Sequence, residues 1–150
     1  MKKKLTLKDC TKENFEQSWK LLEDAQRAYR EKDLELGKRW RDSNYDDSVY
    51  EEKEKILKEY STLITKARKN LIPYVGLKCS IKAYTHSYAC VITKVITPNK
   101  VEVRFKYEMM PTEVYSRRKN GGWYTYGVNL KDYPCRLILN STYHYIDPSF

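Results

Sequence analysis

The hydrophobic pattern of this chain changes period once, near residue 75. Before that point it is helical. Phe15, Trp19, Leu22, Gln26 and Tyr29 recur at a 4-3-4-3 spacing, one stripe of an α-helix, and Leu21, Ala25 and Ala28 widen it. Asp9 or Thr11 can cap its start, and the pattern predicts a helix to about Trp40. The polar run RDSNYDDS, residues 41–48, breaks it. Ser48-Val49-Tyr50-Glu51 then reads as a capping box for a second helix. Val49, Ile56, Tyr60, Leu63 and Ala67 form that helix's stripe, and Asn70 and Pro73 mark its end. Two helices with a short polar loop predict an antiparallel hairpin over residues 1–73. Such a hairpin buries only one seam, so its outer faces need another surface. Homo-oligomerisation through the hairpin is the expectation that follows.

After residue 75 the period is two. VGLKCSIKA places Val75, Leu77, Cys79, Ile81 and Ala83 on one face, and Lys78, Ser80 and Lys82 on the other. ACVITKVIT is a second strand, and Thr97-Pro98-Asn99-Lys100 a turn. VEVRFKY directs Val101, Val103, Phe105 and Tyr107 inward, with Glu102, Arg104 and Lys106 outward. TEVYSRR and WYTYGV flank KNGG, a hairpin signal, and CRLIL is a last strand. Five or six short antiparallel strands predict a small barrel or a strongly bent sheet over residues 74–150. The fold class is therefore α+β.

Composition narrows the partners. Lys plus Arg number 29 against 20 Asp plus Glu, a net charge of +9. Residues 1–74 carry net +3 with mixed signs, and residues 75–150 net +6 with few acids. That balance favours anionic ligands without specifying a fold. The four cysteines show no C-x-x-C, and the two histidines are far apart, so no metal or other cofactor is expected. No signal peptide and no apolar run of membrane-spanning length is seen, which predicts a cytoplasmic protein with reduced thiols and no membrane partner.

Three stretches carry a resemblance: Tyr84-Thr85-His86-Ser87-Tyr88-Ala89, Arg118-Lys119-Asn120-Gly121-Gly122-Trp123, and the ending Tyr145-Ile146-Asp147-Pro148-Ser149-Phe150. The second half resembles a class of small phage-encoded proteins. In these a tyrosine-threonine-aspartate-arginine-histidine-alanine stretch precedes an R-K-N-G-x-W hairpin and a D-P-S-F end. His86, Ser87 and Tyr88 stand where that pattern has aspartate, arginine and histidine, so no role carries over to them. The likeness covers about half of the chain and leaves the helical half outside. It implies a phage or prophage origin, a bacterial host cell and an SH3-like barrel, and it implies no activity.

The residues themselves supply the candidate chemistry. Residues 84–88 read as a loop in which Tyr84 and Tyr88 stack on a ring and His86 donates to a phosphate; the plainer reading is tyrosines packed on the barrel edge. Arg117, Arg118 and Lys119 next to Trp123 and Tyr124 offer planar forks for phosphate and faces for stacking; the plainer reading is a solvated, charged turn. Arg104, Lys106 and Tyr107 on a neighbouring strand extend this set if the register allows. Nine of the 14 tyrosines follow residue 75, which suits binding surfaces and ordinary strands alike. Cys90 with His86 is a weak nucleophilic pair, because Cys90 opens a hydrophobic strand. Glu108, Glu113 and Asp132 are too dispersed to read as an acid/base pair. The aromatic tail is expected to close the β-domain, with Asp147-Pro148 turning Phe150 into its open end and His144 facing either the seal or a site. The leading functional expectation is a non-enzymatic phage counter-defence protein that sequesters a small anionic signalling nucleotide. A nucleic-acid-binding module and an inhibitor docking on a host defence enzyme, such as a nuclease complex, are the alternatives.

Overall fold

The structure, a computed structural model, describes residues 4–106 and 112–145. Two helices, α1 (Lys12–Asp42) and α2 (Asp47–Lys69), precede six strands. The strands are β1 (Lys78–Ala83), β2 (His86–Thr97), β3 (Lys100–Phe105), β4 (Glu113–Arg117), β5 (Trp123–Thr125) and β6 (Arg136–Leu139). Contacts divide the chain into Gln17–Leu71 and a second unit made of the described residues up to Glu16 and from Ile72 on. The second boundary falls near the expected residue 73, whereas the N-terminal segment groups with the β-half.

The first unit is the helical hairpin. Thr11 Oγ1 accepts the Asn14 amide at 3.2 Å and caps α1 as expected. The cap of α2 differs from the Ser48–Glu51 box. Asp46 takes that place, its carboxylate accepting from the Ser48 amide at 2.8 Å and the Ser48 hydroxyl at 2.6 Å. A carboxylate at this position also meets the positive end of the helix dipole, which a serine does not. The helices run antiparallel. Near the loop, Trp40 packs on Tyr50 with ring centroids 5.2 Å apart, and Lys53 lies 5.7 Å above the Trp40 ring. Arg39–Glu52 and Lys53–Asp33 pair across the seam at 3.8 and 3.7 Å. These contacts rotate α2 so that Leu57 is buried, while Leu63, expected in the stripe, is 55% exposed. Leu21 and Leu34 are exposed as well. No described helix is long and apolar enough to cross a membrane.

The second unit is a closed antiparallel barrel in the order β1-β2-β3-β4-β5-β6, with β6 pairing back onto β1. That closure decides for a barrel over an open bent sheet. Leu77, Cys79 and Ile81, and Val101, Val103 and Phe105, point inward as the alternation predicts, and Ile92, Tyr115, Trp123, Leu137 and Leu139 complete the core, all buried. Register shifts between Ile92 and Lys94 and between Val95 and Thr97 bend the long β2 around the barrel. Two expectations fail locally. Val75 is 60% exposed, because Gly76 at φ 98° turns the chain and β1 begins only at Lys78. The expected loop at 84–88 is only a two-residue turn, since Ala83 pairs with His86 and Tyr84 adopts φ 53°. His86 and Tyr88 therefore lie within β2.

Candidate functional site

The register divides the sequence-predicted site residues between the two ends of the barrel. His86 and Tyr88 lie at the end where Ala83 meets His86, Cys90 meets Phe105 and Val103 meets Glu113. Arg117 and Trp123 pair with each other at the opposite end. At the first end, Tyr84 is 88% exposed at its turn. Tyr88 is half-buried, edge-on to Phe105 at 5.8 Å and to His144 at 6.1 Å, with His86 6.0 Å away. Tyr107 lies outside the described residues, as does the expected turn at Asp147-Pro148-Phe150.

The hairpin at 117–124 directs its arginines into the protein. Arg117 Nη2 donates to the Pro98 carbonyl at 2.7 Å, and its guanidinium sits 4.7 Å from the Trp123 ring centroid. Burial lowers the Arg117 pKa to about 10. Arg118 Nη2 donates to the carbonyls of Thr125 at 2.9 Å and Val128 at 2.6 Å. Trp123 is buried. Tyr124 accepts from Asn120 Nδ2 at 3.3 Å, and its ring covers Gly122 so closely that a Cβ there would meet it at 2.7 Å. Gly121, at φ 84°, closes the tip through its amide to the Arg118 carbonyl at 2.9 Å. Lys119 alone of the three cations here is fully exposed.

A different basic surface emerges beside the C-terminal segment. After β6, Asn140 at φ 55° turns the chain, and residues 141–145 cross the outside of β1 and β2. The Ser141 amide donates to the Lys78 carbonyl at 3.1 Å. The Ser80 hydroxyl donates to the Tyr143 carbonyl at 2.7 Å and lies 2.8 Å from the Ser141 hydroxyl. Tyr145 exchanges two 2.7 Å backbone bonds with Ser87, and His144 Nδ1 accepts the Ala89 amide at 3.1 Å. The imidazole thus stands in for a strand carbonyl where β3 ends. This crossing explains why Ser80, expected outward, is 1% exposed, and why Ser87 and Ala89 are buried with it.

Beside the crossing lies a cavity of about 260 Å³ lined by Lys78, Ala89, Val91, Lys106, Ser141 and Thr142, with Cys79 and Cys90 also contributing. Two cations, Lys78 and Lys106, line it, and the register brings Arg104 onto the same outer face. Lys78, Val91 and Arg104 form one cross-strand row. Lys106 lies one row on, its amide donating to the Ala89 carbonyl at 3.0 Å. Lys78, Arg104 and Lys106 are exposed on the outer face. Glu102, two residues before Arg104 on the same face, is an acid at the margin. Of the expected candidates, Arg104 and Lys106 lie on this surface. Alternation alone directs Lys78 and Lys106 outward, but only the register shows that they converge.

The thiols are poor nucleophiles. Burial pushes the Cys90 pKa up to about 12, with the Glu113 carboxylate adding to the effect, and burial raises Cys79 as well. Cys10 and Cys135 are also raised, by burial first. Tyr115 donates to Glu113 Oε2 at 2.6 Å inside the barrel; burial, then that carboxylate, pushes its phenol pKa up. Among the described residues no three His, Cys, Asp or Glu side chains gather to hold a metal. No family model, no curated protein and no solved structure matches the chain significantly.

Proposed function

We propose that this protein is a non-enzymatic binding protein that captures a small anionic, nucleotide-type ligand on the outer face of β1, β2 and β3. The observation that carries the reading is the row Lys78–Val91–Arg104, with Lys106 beside it, around a cavity of about 260 Å³. Its apolar lining, Ala89 and Val91, suits the face of a ring or sugar, while Lys78 and Lys106 in the lining and Arg104 in the adjoining row suit phosphate. The volume is near the lower end of small-molecule sites, about 300–1,000 Å³, and fits a mononucleotide-sized group better than a longer chain. The raised thiol pKa values support capture over covalent catalysis. The sequence resemblance suggests a phage or prophage origin and no activity; sequestration of a host signalling nucleotide in the bacterial cytoplasm is the role we infer for such a binding protein.

The test is a thermal-shift series with AMP, ATP, ADP-ribose and cyclic nucleotides. Ligand at about 100 times Kd adds roughly 2.7 kcal/mol of stability, a readable rise in Tm. The triple variant Lys78→Ala, Arg104→Ala, Lys106→Ala should melt like the wild type alone and lose the ligand-dependent rise. The absence of any shift in the wild type would contradict the reading. The same cations also suit single-stranded nucleic acid. Tight oligonucleotide binding that falls steeply with salt, without nucleotide binding, would move the assignment there.

A further inference from the structure

Two tyrosines on the crossing segment are arranged as a slot. Tyr143 and Tyr145 have ring planes within 14° of parallel and centroids 6.4 Å apart. Both are exposed, at 60% and 43%. Residues i and i+2 of an extended strand lie on one face, about 6.6–6.8 Å apart. One planar ring between two others needs two van der Waals separations, about 7 Å, so the 6.4 Å spacing has to widen by a few tenths of an ångström or more to admit one. The backbone beneath the slot is pinned at three successive residues. Tyr143 accepts from Ser80, His144 from Ala89, and Tyr145 pairs with Ser87 in both directions. Cations stand alongside, because Arg136 pairs with Lys82, Lys82 with Ser87, and Ser87 with Tyr145 in one continuous row. Lys82 and Arg136 are both exposed.

We propose that Tyr143 and Tyr145 form an aromatic clamp for the planar base of a nucleotide, with Lys82 and Arg136 placed to receive a phosphate on the same ligand. This rests on the nucleotide-binding reading and divides the ligand within it: the base stacks in the clamp, and the neighbouring cavity takes the sugar or another part of the same molecule. Stacking is indifferent to base identity because every base has a π-face, so specificity comes from the surrounding polar groups.

The test is isothermal titration with AMP, GMP, ADP-ribose and ribose 5-phosphate. Tyr143→Ala with Tyr145→Ala should weaken the three base-containing probes by about tenfold or more and leave ribose 5-phosphate unchanged. Tyr143→Phe with Tyr145→Phe should restore wild-type affinity, because the clamp uses faces and not hydroxyls. Tyr143 and Tyr145 make their bonds here through their own main-chain atoms, so both variants should keep the wild-type Tm. In the wild type, the adenine H2 and H8 resonances of bound AMP should move upfield from ring currents on both sides. Base-containing probes that bind the double alanine variant as tightly as the wild type would overturn the clamp. If the Lys78/Arg104/Lys106 variant still loses affinity, the cavity reading survives that result. A wild type that binds none of the four probes overturns both.

Discussion

Two regions of this protein combine cations with aromatic rings, and they use them in opposite ways. In the hairpin at 117–124, Arg117 and Arg118 turn inward, donate to the carbonyls of Pro98, Thr125 and Val128, and place one guanidinium over the buried Trp123. On the face crossed by residues 141–145, Lys78, Lys82, Arg104, Lys106 and Arg136 point outward around exposed tyrosines. In sequence the hairpin has the more suggestive motif. In the structure its arginines are committed to backbone carbonyls of neighbouring loops. Arginine beside tryptophan is thus as much a device for closing a small barrel as for gripping a phosphate.

The largest effect that can separate the two regions is on stability. Arg118→Ala removes two charge-assisted bonds and leaves the Thr125 and Val128 carbonyls short of a donor; a loss of about 2–4 kcal/mol is expected in denaturant unfolding, with nucleotide affinity per folded molecule unchanged. A marginal change in stability with lost binding would return the site to the hairpin.

The architecture was legible because it rests on periodicity. Alternation in VGLKCSIKA and VEVRFKY, the helical stripe through Phe15 and Leu22, and the breaks at 41–48 and Pro98-Asn99 all reflect local geometry that one sequence carries. The site was less legible because it depends on pairing between distant strands. Nothing local shows that Lys78, Val91 and Arg104 share a row, or that Ser80 lies beneath Tyr143. The long 84–88 loop was misread because Tyr84 takes a left-handed conformation that bulky residues seldom adopt. The Ser48–Glu51 box failed for a simpler reason: Asp46, two residues earlier, caps as well as serine and adds a negative charge at the helix N-terminus. Arg104 and Lys106 were candidates from the sequence, because alternation along VEVRFKY directs them outward.

A smaller effect sharpens the role of the crossing segment. Ser80→Ala deletes the bonds to Ser141 and Tyr143 at a site 1% exposed, and should cost about 1 kcal/mol while lowering nucleotide affinity, measured by paired unfolding and titration. Unchanged affinity with the expected loss of stability would make the segment a structural seal alone.

The smallest effect lies outside both regions and serves as their control. Hydrogen bonds from the Ser48 hydroxyl, then the Ser48 amide, hold the Asp46 carboxyl below its ordinary value of 3.8. A lowered acid pKa adds stability that is complete above the unfolded value and fades as pH falls through the folded one. Helical circular dichroism of the wild type and of Asp46→Asn should therefore differ at neutral pH and converge below about pH 3.8, with nucleotide binding the same in both. A difference that persists unchanged into stronger acid would show that the cap does not act through its charge.

The central claim is that the ligand surface is the face of β1, β2 and β3 beside the crossing segment, and not the arginine–tryptophan hairpin. A two-dimensional NMR titration of the amide-labelled protein with ADP-ribose tests it most directly. Saturable shifts should concentrate at Lys78, Ala89, Val91, Arg104, Lys106 and Tyr143, with Arg118 and Asn120 through Tyr124 nearly still. Shifts centred on residues 117–124, with Val91 and Arg104 unmoved, would contradict it.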